Sequence, residues 1–408
     1  MEKLIVKNFL NLREGEFNLS KISIVFEPQV NGNSIVARLI YFFKKFFLEY
    51  HDSILKQLNK EEFNKHIMAI FNEIFAEECW NIQKFEIIYY LENNYVKLYT
   101  EKLDEHKYQL FLDYSEYLVK IRSNLLEEYP KNFSTNSISP FIEGIIGIQT
   151  HEILSKYLFS GEEKITTLDF LTFIPTNRTF FANLENFSFF SNNAPVDYFI
   201  KEFASDYELM KKLYNDRIFL QEEHKEKIEE LVKKVILGNY VYENGQDWIY
   251  TDTSKKINLS HSSAAQKELL PMVLTLVLLP FSNWCNRIFI IEKPEAHLFP
   301  ESQNYIVSLI SLIFNLAGNK NKFVITTHSP YILTAFNKLI QARHTLKMLR
   351  DKSKTEELID KLTSIIPVNQ MLDINDINAC IIKDGILKSV INQENQLINT
   401  NMFDEVTN

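Results

Sequence analysis

The chain has 408 residues, of which 46% are hydrophobic and 24% charged, and its formal net charge is −9 at pH 7. A negative balance of this size excludes a uniformly basic nucleic-acid coat, although it is compatible with a local basic patch. Length and composition predict a globular protein with two or three domains, or one large domain with an insertion.

The spacing of the cysteines and the length of the apolar runs indicate in which cellular compartment the protein is found. The three cysteines, Cys79, Cys285 and Cys380, have neither metal-ligand spacing nor the pattern of a disulfide framework. This favours a reducing cytoplasm.

The first residues lack a long apolar signal segment. The most apolar run, Leu269 to Phe281, is short for a bilayer span and contains two prolines, so we expect a buried helix and no membrane segment.

The first elements have the order of a nucleotide-binding fold. Residues 1–26 alternate in the manner of β-strands, and an apolar, helix-forming stretch covers residues 35–50. The polar segment 27–34 lies between the last strand and this helix. Strand, loop and helix form the context that a phosphate-binding loop requires. A nucleotide-binding domain would take residues 1–50 as its N-terminal part.

The loop itself matches the consensus G-x-x-x-x-G-K-[ST] only in part. Gly32 and Ser34 agree with it, whereas Glu27 stands for the first glycine and Asn33 for the lysine. The lysine normally brings positive charge to the β- and γ-phosphates. Asn33 can donate a hydrogen bond but neutralises no charge. Taken alone, this loop favours an ordinary polar turn.

In the middle of the chain, the sequence predicts an inserted segment and a helical arm. Residues 51–165 are expected to be mostly helical around one strand pair that turns at Asn93-Asn94. Residues 166–194 would return to the core, and Arg178 follows a short strand there. Two interpretations of Arg178 stay open, a surface-loop residue or an arginine that faces phosphate at the ligand edge of the sheet. The charge spacing in 195–237 predicts a solvated helical or coiled-coil arm.

Residues 238–408 carry the remaining signals. Asn244-Gly245 and Asp384-Gly385 predict hairpins. Ser263 and Gln266 stand where small residues lead into an apolar helix. That pattern is typical of an N-cap, and also of a helix start that meets a phosphate. Alone, it favours the cap.

Two short apolar runs in this part end in polar residues. The run 288–291 stops at Glu292 and Lys293, and the run 323–325 leads to His328. Each run has the length of one buried strand. A carboxylate at the carboxyl end of a buried parallel strand lies where ligands bind in open α/β sheets. Taken alone, both would be ordinary strands followed by polar turns.

Together and in this order, the motifs resemble the ATP-binding-cassette-like (ABC-like) ATPases of the RecF, SMC and OLD (overcoming-lysogenization-defect) group. The chain is similar to the small standalone AAA ATPases of bacterial anti-phage systems, such as the Septu and PARIS ATPase subunits. The resemblance covers roughly residues 1–50 and 165–400. It implies an α/β, ABC-type P-loop ATPase fold, with a mixed sheet, flanking helices and an inserted helical lid region.

The resemblance also implies roles for single residues around ATP and Mg²⁺. The phosphate loop would comprise Gly32, Asn33 and Ser34, and Ser34 and Glu292 would hold Mg²⁺. His328 would sense the γ-phosphate, with Arg178 and Lys293 as further phosphate contacts. Ser263 and Gln266 would belong to the signature segment that reaches the nucleotide of a second subunit. This implies a homodimer or a higher oligomer.

The departures from the family pattern concern the same positions. Lys293 replaces the second acidic residue, the general base, and a protonated lysine cannot polarise the attacking water. Asn33 removes the charge clamp, and Ala264-Ala265 replace glycine in the signature. These changes predict weak or absent hydrolysis, because phosphoryl transfer depends on positioning and electrostatic stabilisation.

Three functions follow as hypotheses. The first is a degenerate ATP-binding subunit that scaffolds or regulates a nuclease or toxin effector in anti-phage defence. The second is an active ATP-hydrolysing enzyme of defence or DNA repair, coupled to a nuclease partner. The third is a DNA-end-binding structural protein, which the overall acidity disfavours. The acidic residues in 330–408 do not suggest a nuclease cluster.

Overall fold

The computed structural model describes residues 2–27, 34–104, 107–128, 154–155, 158, 169–183, 196–215, 222–251, 255–281, 286–318, 320–351 and 356–400. The chain divides into two compact units. The first comprises Met1–Leu19, Asn31–Leu171 and Ile382–Lys388, and the second comprises Ser20–Val30, Thr172–Ile381 and Ser389–Asn408.

The described elements are strands and helices of ordinary length, together with short 3-10 turns. The strands are β1 (Glu2–Phe9), β2 (Leu12–Asn18), β3 (Ile22–Phe26), β4 (Glu86–Leu91), β5 (Asn94–Lys102), β6 (Tyr108–Tyr114), β7 (Phe170–Ile174), β8 (Asn239–Glu243), β9 (Gln246–Tyr250), β10 (Lys256–Asn258), β11 (Arg287–Glu292), β12 (Lys322–Thr327), β13 (Ile377–Lys383), β14 (Ile386–Ser389), β15 (Ile391–Asn392) and β16 (Leu397–Ile398). The helices are α1 (Ile35–Leu55), α2 (Lys60–Ile74), α3 (Glu77–Trp80), α4 (Glu116–Glu128), α5 (Tyr198–Tyr214), α6 (Glu222–Ile236), α7 (Ala264–Leu278), α8 (Pro300–Leu316), α9 (Pro330–Arg350) and α10 (Glu356–Ile365).

The first unit contains a mixed sheet with the strand order β6-β5-β4-β1-β2-β14. Its neighbours are antiparallel except β2 and β14, which pair in parallel at Glu14 and Ile386. α1 supplies much of the core: Phe42, Phe43, Phe46 and Phe47 are all buried. The ring of Phe43 stacks on Tyr89 of β4, with their centroids 5.3 Å apart.

Of the segment predicted as an insertion, 51–165, the structure describes residues 51–104, 107–128, 154–155 and 158, and the strands in this part are not set apart from the N-terminal strands. β4 pairs with β1 along its whole length, so the middle of the segment continues the first unit's sheet. A third strand, β6, joins β5 in addition to the expected strand pair, and helix α4 follows it. The turn between β4 and β5 lies one residue earlier than predicted, at Glu92-Asn93, and Glu92 has a φ of 51°. Sequence periodicity could not show this pairing, because the partner strand is about eighty residues away.

The second unit is built on strands in the order β13-β3-β12-β11-β7. β3 pairs in parallel with β12 and β13, and β12 pairs in parallel with β11. All five residues of β3 are buried, as expected for a parallel strand covered on both faces. The predicted α/β class, with a mixed sheet and flanking helices, is therefore confirmed.

Within the segment 195–237, which was predicted as a solvated arm, the structure describes two helices, α5 and α6, that pack into the second unit. α5 buries residues such as Phe199, Phe203 and Tyr207, and it contacts α7. α6 contacts α8 through a buried face that includes Leu231 and Val235. The i,i+4 ion pairs that suggested the arm are present, for example Lys234 with Glu230, but they occupy only the outer face.

The apolar run predicted as a buried helix is longer in the structure. Among the described residues, one stretch, Ala264–Phe281, passes the length and hydropathy test for a membrane span, with a mean hydropathy of 1.4. Within this stretch 67% is buried inside the protein. Its central side chains, including Leu270, Met272 and Leu276, belong to the second unit's core.

The two predicted hairpins allow a matched test of turn glycines. Gly245 and Gly385 have φ values of +77° and +73°, but an added Cβ meets nothing within 4 Å at Gly245, whereas at Gly385 it would lie 2.7 Å from the Asn11 carbonyl oxygen. We expect Gly245→Ala to lower the free energy of unfolding by about 1 kcal/mol through the left-handed backbone alone. Gly385→Ala adds a clash and should lower it by about 2–5 kcal/mol. Urea unfolding of both variants measures the difference, and equal losses would contradict the steric argument.

Candidate functional site

The carboxyl ends of β3, β11 and β12 meet at one edge of the second unit's sheet, because these strands run in parallel. Glu27 follows β3, Lys293 follows β11 and His328 follows β12. The backbone N–H of Glu27 donates to the Thr327 carbonyl at 3.0 Å, and that of Lys293 donates to the Thr326 carbonyl at 2.9 Å. These bonds extend the ladder past the strands and fix the three residues side by side.

His328 is held at this edge from two sides. Its backbone N–H donates to Oε1 of Glu295 at 2.8 Å, and its Nδ1 bonds the carbonyl oxygen of Glu27. A carbonyl can only accept, so Nδ1 carries the proton. In the neutral ring Nε2 then has the free lone pair, and it is buried without a hydrogen-bond partner among the described residues. His328 therefore has one fixed ring nitrogen and one available to a ligand.

Glu292 ends β11 with its side chain almost fully buried, at 2% exposure. Its Oε2 accepts a long hydrogen bond from the Thr176 backbone N–H, at 3.4 Å. Lys293, directly after it, has a left-handed backbone with φ 45° and a half-buried side chain. The carboxylate predicted to bind metal and the lysine predicted to replace a general base therefore both lie at the carboxyl edge of the sheet.

Arg178 underlies this edge and is fully buried. Its Nε donates to the Glu268 carbonyl at 2.9 Å, and its Nη1 donates to the carbonyls of Pro175 and Glu292 at 2.7 and 3.0 Å. Its Nη2 donates to the Lys293 carbonyl at 3.2 Å and lies 3.3 Å from Oε1 of Glu268, with which it forms an ion pair.

These contacts correct both interpretations of Arg178 from the sequence. Four of its five N–H donors bond backbone carbonyls, Nη2 is also ion-paired with Glu268, and the side chain is fully buried, so Arg178 is not placed to contact a phosphate. It is also not a surface-loop residue. Burial lowers the pKa of Arg178, and the charges of Glu268, Glu295 and Glu292 oppose that shift. Arg178 holds the backbone of Glu292 and Lys293 in place.

Ser263 and Gln266 form a capping box at the start of α7. Oγ of Ser263 accepts from the Gln266 backbone N–H, and Oε1 of Gln266 accepts from the Ser263 backbone N–H. Nε2 of Gln266 donates to the Ile236 carbonyl at 3.0 Å, which ties α7 to the end of α6. The predicted N-cap is confirmed, and the role of both residues toward a second subunit stays a prediction.

The phosphate-loop residues are described only in part. Gly32 and Asn33 lie outside the described residues. Ser34 is buried in the first unit, and its carbonyl accepts from the Arg38 N–H at 2.9 Å at the start of α1. Its side chain does not cap α1. The phosphate and magnesium contacts of this loop remain predictions.

The sequence reasoning missed the residues that shape the loop around His328. Glu295 is one of them, and one of its carboxylate oxygens, Oε2, is buried without a hydrogen-bond partner among the described residues. Gln303 is another: its Oε1 accepts from Oγ of Ser329 at 2.6 Å. The only sequence signal for Glu295 was its place in the turn directly after β11.

Among metal ions, Mg²⁺ suits the side chains at the carboxyl edge of this sheet best. No group of three or more His, Cys, Asp or Glu side chains in the described part of the chain is arranged to hold a metal ion. This disfavours a zinc or transition-metal centre there. Mg²⁺ needs only one or two protein carboxylates beside water and phosphate oxygens, and Glu292 suits that role.

Comparison with known proteins gives a weak likeness. No family model and no curated protein matches the chain. Among solved structures it is similar to the SMC head domain from Thermotoga maritima, with 11% identity, a TM-score of 0.37, and coverage of 95% of this chain and 97% of that one. It is also similar to an SMC head bound to the C-terminal winged-helix domain of ScpA, with 12% identity, a TM-score of 0.43, and coverage of 96% and 98%. A third similar structure is the SMC head with an extended coiled coil bound to the C-terminal domain of ScpA from Pyrococcus furiosus, with 12% identity, a TM-score of 0.35, and full coverage of both chains. Likeness at these identities and TM-scores assigns neither a family nor an activity.

Proposed function

We propose that this chain is an ABC-type ATPase-fold subunit that binds a nucleoside triphosphate with Mg²⁺ and hydrolyses it weakly or not at all. One observation carries the proposal: Glu292 and His328 end neighbouring parallel strands, and Lys293 stands directly after Glu292, where a general base is needed. In this proposal Glu292 supplies the carboxylate for Mg²⁺ and His328 the imidazole for the ligand, beside a lysine that cannot accept a proton while charged.

The groups at this edge have separate roles in the proposal. Glu292 holds Mg²⁺, which when bound neutralises part of the charge on the phosphates. Arg178 keeps Glu292 and Lys293 in place through their backbone carbonyls. Lys293 offers a positive charge that offsets the missing lysine at Asn33. His328 meets the terminal phosphate through Nε2, which requires a second proton on the ring because Nδ1 already donates to Glu27.

The biological setting is proposed from the order of the motifs along the chain. The subunit acts in the cytoplasm as a homodimer or higher oligomer, in which Ser263 and Gln266 of one copy approach the nucleotide of the other. It scaffolds or regulates a protein effector, a nuclease or a toxin, in bacterial anti-phage defence. Contact with nucleic acid is compatible with this role.

One observation favours the alternative, an active ATP-hydrolysing enzyme of defence or DNA repair with a nuclease partner. Nε2 of His328 and Oε2 of Glu295 are both buried and have no hydrogen-bond partner among the described residues. The neutral imidazole of His328 and the ionised carboxylate of Glu295 are each able to accept a proton. Either group therefore offers a substitute for the missing general base.

Binding and turnover separate these functions. Calorimetric titration of the purified protein with ATP and Mg²⁺ should show saturable binding, while steady-state hydrolysis stays far below about 1 per second, the low end of ordinary enzymes. Turnover at or above that rate would support the alternative. Absence of ATP binding, even with the effector present, would contradict both.

A substitution at His328 tests the role of its free ring nitrogen. His328→Asn keeps a side-chain N–H near the Glu27 carbonyl but lacks Nε2. We expect ATP affinity to fall about tenfold while ADP affinity stays unchanged, since only ATP has the terminal phosphate. Calorimetry with both nucleotides measures the ratio. His297→Asn, an exposed histidine whose φ of 62° suits asparagine, is the control and should change neither affinity. A parallel loss of ATP and ADP affinity in His328→Asn would contradict this role.

A further inference from the structure

A separate cavity lies within the second unit, away from the carboxyl edge of the sheet. It has a volume of about 430 Å³ and is lined by α6, α8, α9 and the segment 364–370. Ligand pockets in proteins commonly have volumes of about 300–1,000 Å³. No role proposed above uses this cavity.

The buried part of the lining is apolar. Leu231, Leu312, Ala335, Leu339 and Ile366 line the cavity, and each is less than a tenth exposed. They come from three helices, α6, α8 and α9, and from the residue that follows α10, so the apolar surface is not the face of a single element. This surface suits the apolar body of a small molecule.

The exposed lining carries an excess of positive charge. It contains three lysines, Lys227, Lys234 and Lys338, and one glutamate, Glu230. Lys234 pairs with Glu230 at 2.6 Å, and Lys227 lies 3.9 Å from Glu223. Lys338 has no ion-pair or hydrogen-bond partner among the described residues. Lys338 is thus the lysine of this lining whose charge no carboxylate among the described residues offsets, and such a cation favours an anionic ligand.

One further group at the cavity lacks a partner. Asn369 lines it, and its side-chain Oδ1 is buried with no hydrogen-bond partner among the described residues. Its backbone carbonyl, by contrast, accepts from Asn315 Nδ2 at 2.9 Å, so the backbone of the segment is fixed. A buried acceptor without a partner is destabilising unless a ligand or water supplies a donor.

From these features we infer that the cavity binds a small amphipathic anion. Its apolar body lies against Leu231, Leu312 and Leu339, its anionic group meets the ammonium group of Lys338, and an N–H or O–H donor of the ligand bonds Oδ1 of Asn369. This inference does not depend on the proposed nucleotide site.

The probe 1-anilinonaphthalene-8-sulfonate has all three parts: an aromatic body, a sulfonate and an N–H. We expect saturable binding of one probe molecule per folded chain, read from its fluorescence. Lys338→Met keeps the apolar stem and should weaken binding about tenfold through loss of one charge-assisted hydrogen bond. Ser308→Trp, a half-buried lining position, should fill the cavity and abolish binding.

Controls tie the signal to this cavity. Lys361→Met, at an exposed lysine of α10 outside the lining, should leave binding unchanged. Thermal unfolding of each variant must show a folded chain, because the probe also binds partly unfolded states. The inference is overturned if wild type does not bind the probe, if neither Lys338→Met nor Ser308→Trp weakens binding, or if ATP with Mg²⁺ displaces the probe competitively.

Discussion

Replacing Arg178 with methionine is expected to lower the free energy of unfolding by about 3–5 kcal/mol, the range for removing one partner of a buried ion pair. The substitution leaves the buried Glu268 carboxylate without its ion-pair partner. It also removes the donors that the backbone carbonyls of Pro175, Glu268, Glu292 and Lys293 accept from. Each buried group left unsatisfied is destabilising by about 1–3 kcal/mol. Urea unfolding followed by circular dichroism measures the change.

A surface pair in the same unit provides the control for Arg178. Lys347 bonds Asp373 at 2.6 Å, but its side chain is 52% exposed. Water solvates both groups once the pair is broken, so Lys347→Met should change stability by no more than about 1 kcal/mol. If Arg178→Met also lost less than about 1 kcal/mol, Arg178 would not hold the ligand edge together, and its donors would again be available to a phosphate.

Introducing an acid at position 293 is expected to raise ATP turnover about a hundredfold, the low end of what general-base catalysis contributes. Position 293 directly follows Glu292 at the ligand edge, and its backbone is fixed by Thr326 and Arg178. In Lys293→Glu a carboxylate therefore stands where the attacking water needs a proton acceptor. Steady-state phosphate release at saturating ATP and Mg²⁺ measures the gain.

The control for Lys293→Glu is Lys293→Gln, which removes the positive charge of the lysine and adds no general base. It should not raise turnover above that of the wild type, because the gain requires a proton acceptor. Adding Asn33→Lys to Lys293→Glu should raise turnover further, because the lysine brings charge to the phosphates. If turnover stayed flat in Lys293→Glu and in the double variant, the missing base would not be what limits hydrolysis.

Residues that are close in sequence were predictable at this site. The ends of β11 and β12 follow from short apolar runs that stop at Glu292 and before His328. The capping box of Ser263 and Gln266 lies within four residues. In each case the partners are neighbours along the chain, so propensity and spacing carry the information.

Contacts between distant segments were not predictable. Arg178 bonds residues 90, 114 and 115 positions further along the chain, and Nδ1 of His328 bonds a carbonyl 301 positions before it. A loop arginine that binds phosphate and one that binds buried carbonyls have the same local sequence. Only the environment of the folded chain separates them.

By itself, the sequence determined the ends of β11 and β12, the helix cap at Ser263 and the turns at Gly245 and Gly385, and its resemblance to ATPases predicts that Asn33 and Lys293 replace a phosphate-binding lysine and a general base. The tertiary structure decided that Arg178 supports the backbone, that Glu295 and Glu27 hold His328, and that 195–237 packs into the second unit. The physical reason is that caps and turns are satisfied by neighbouring residues. A buried charge or ring, in contrast, is satisfied by whichever groups the whole fold brings to it.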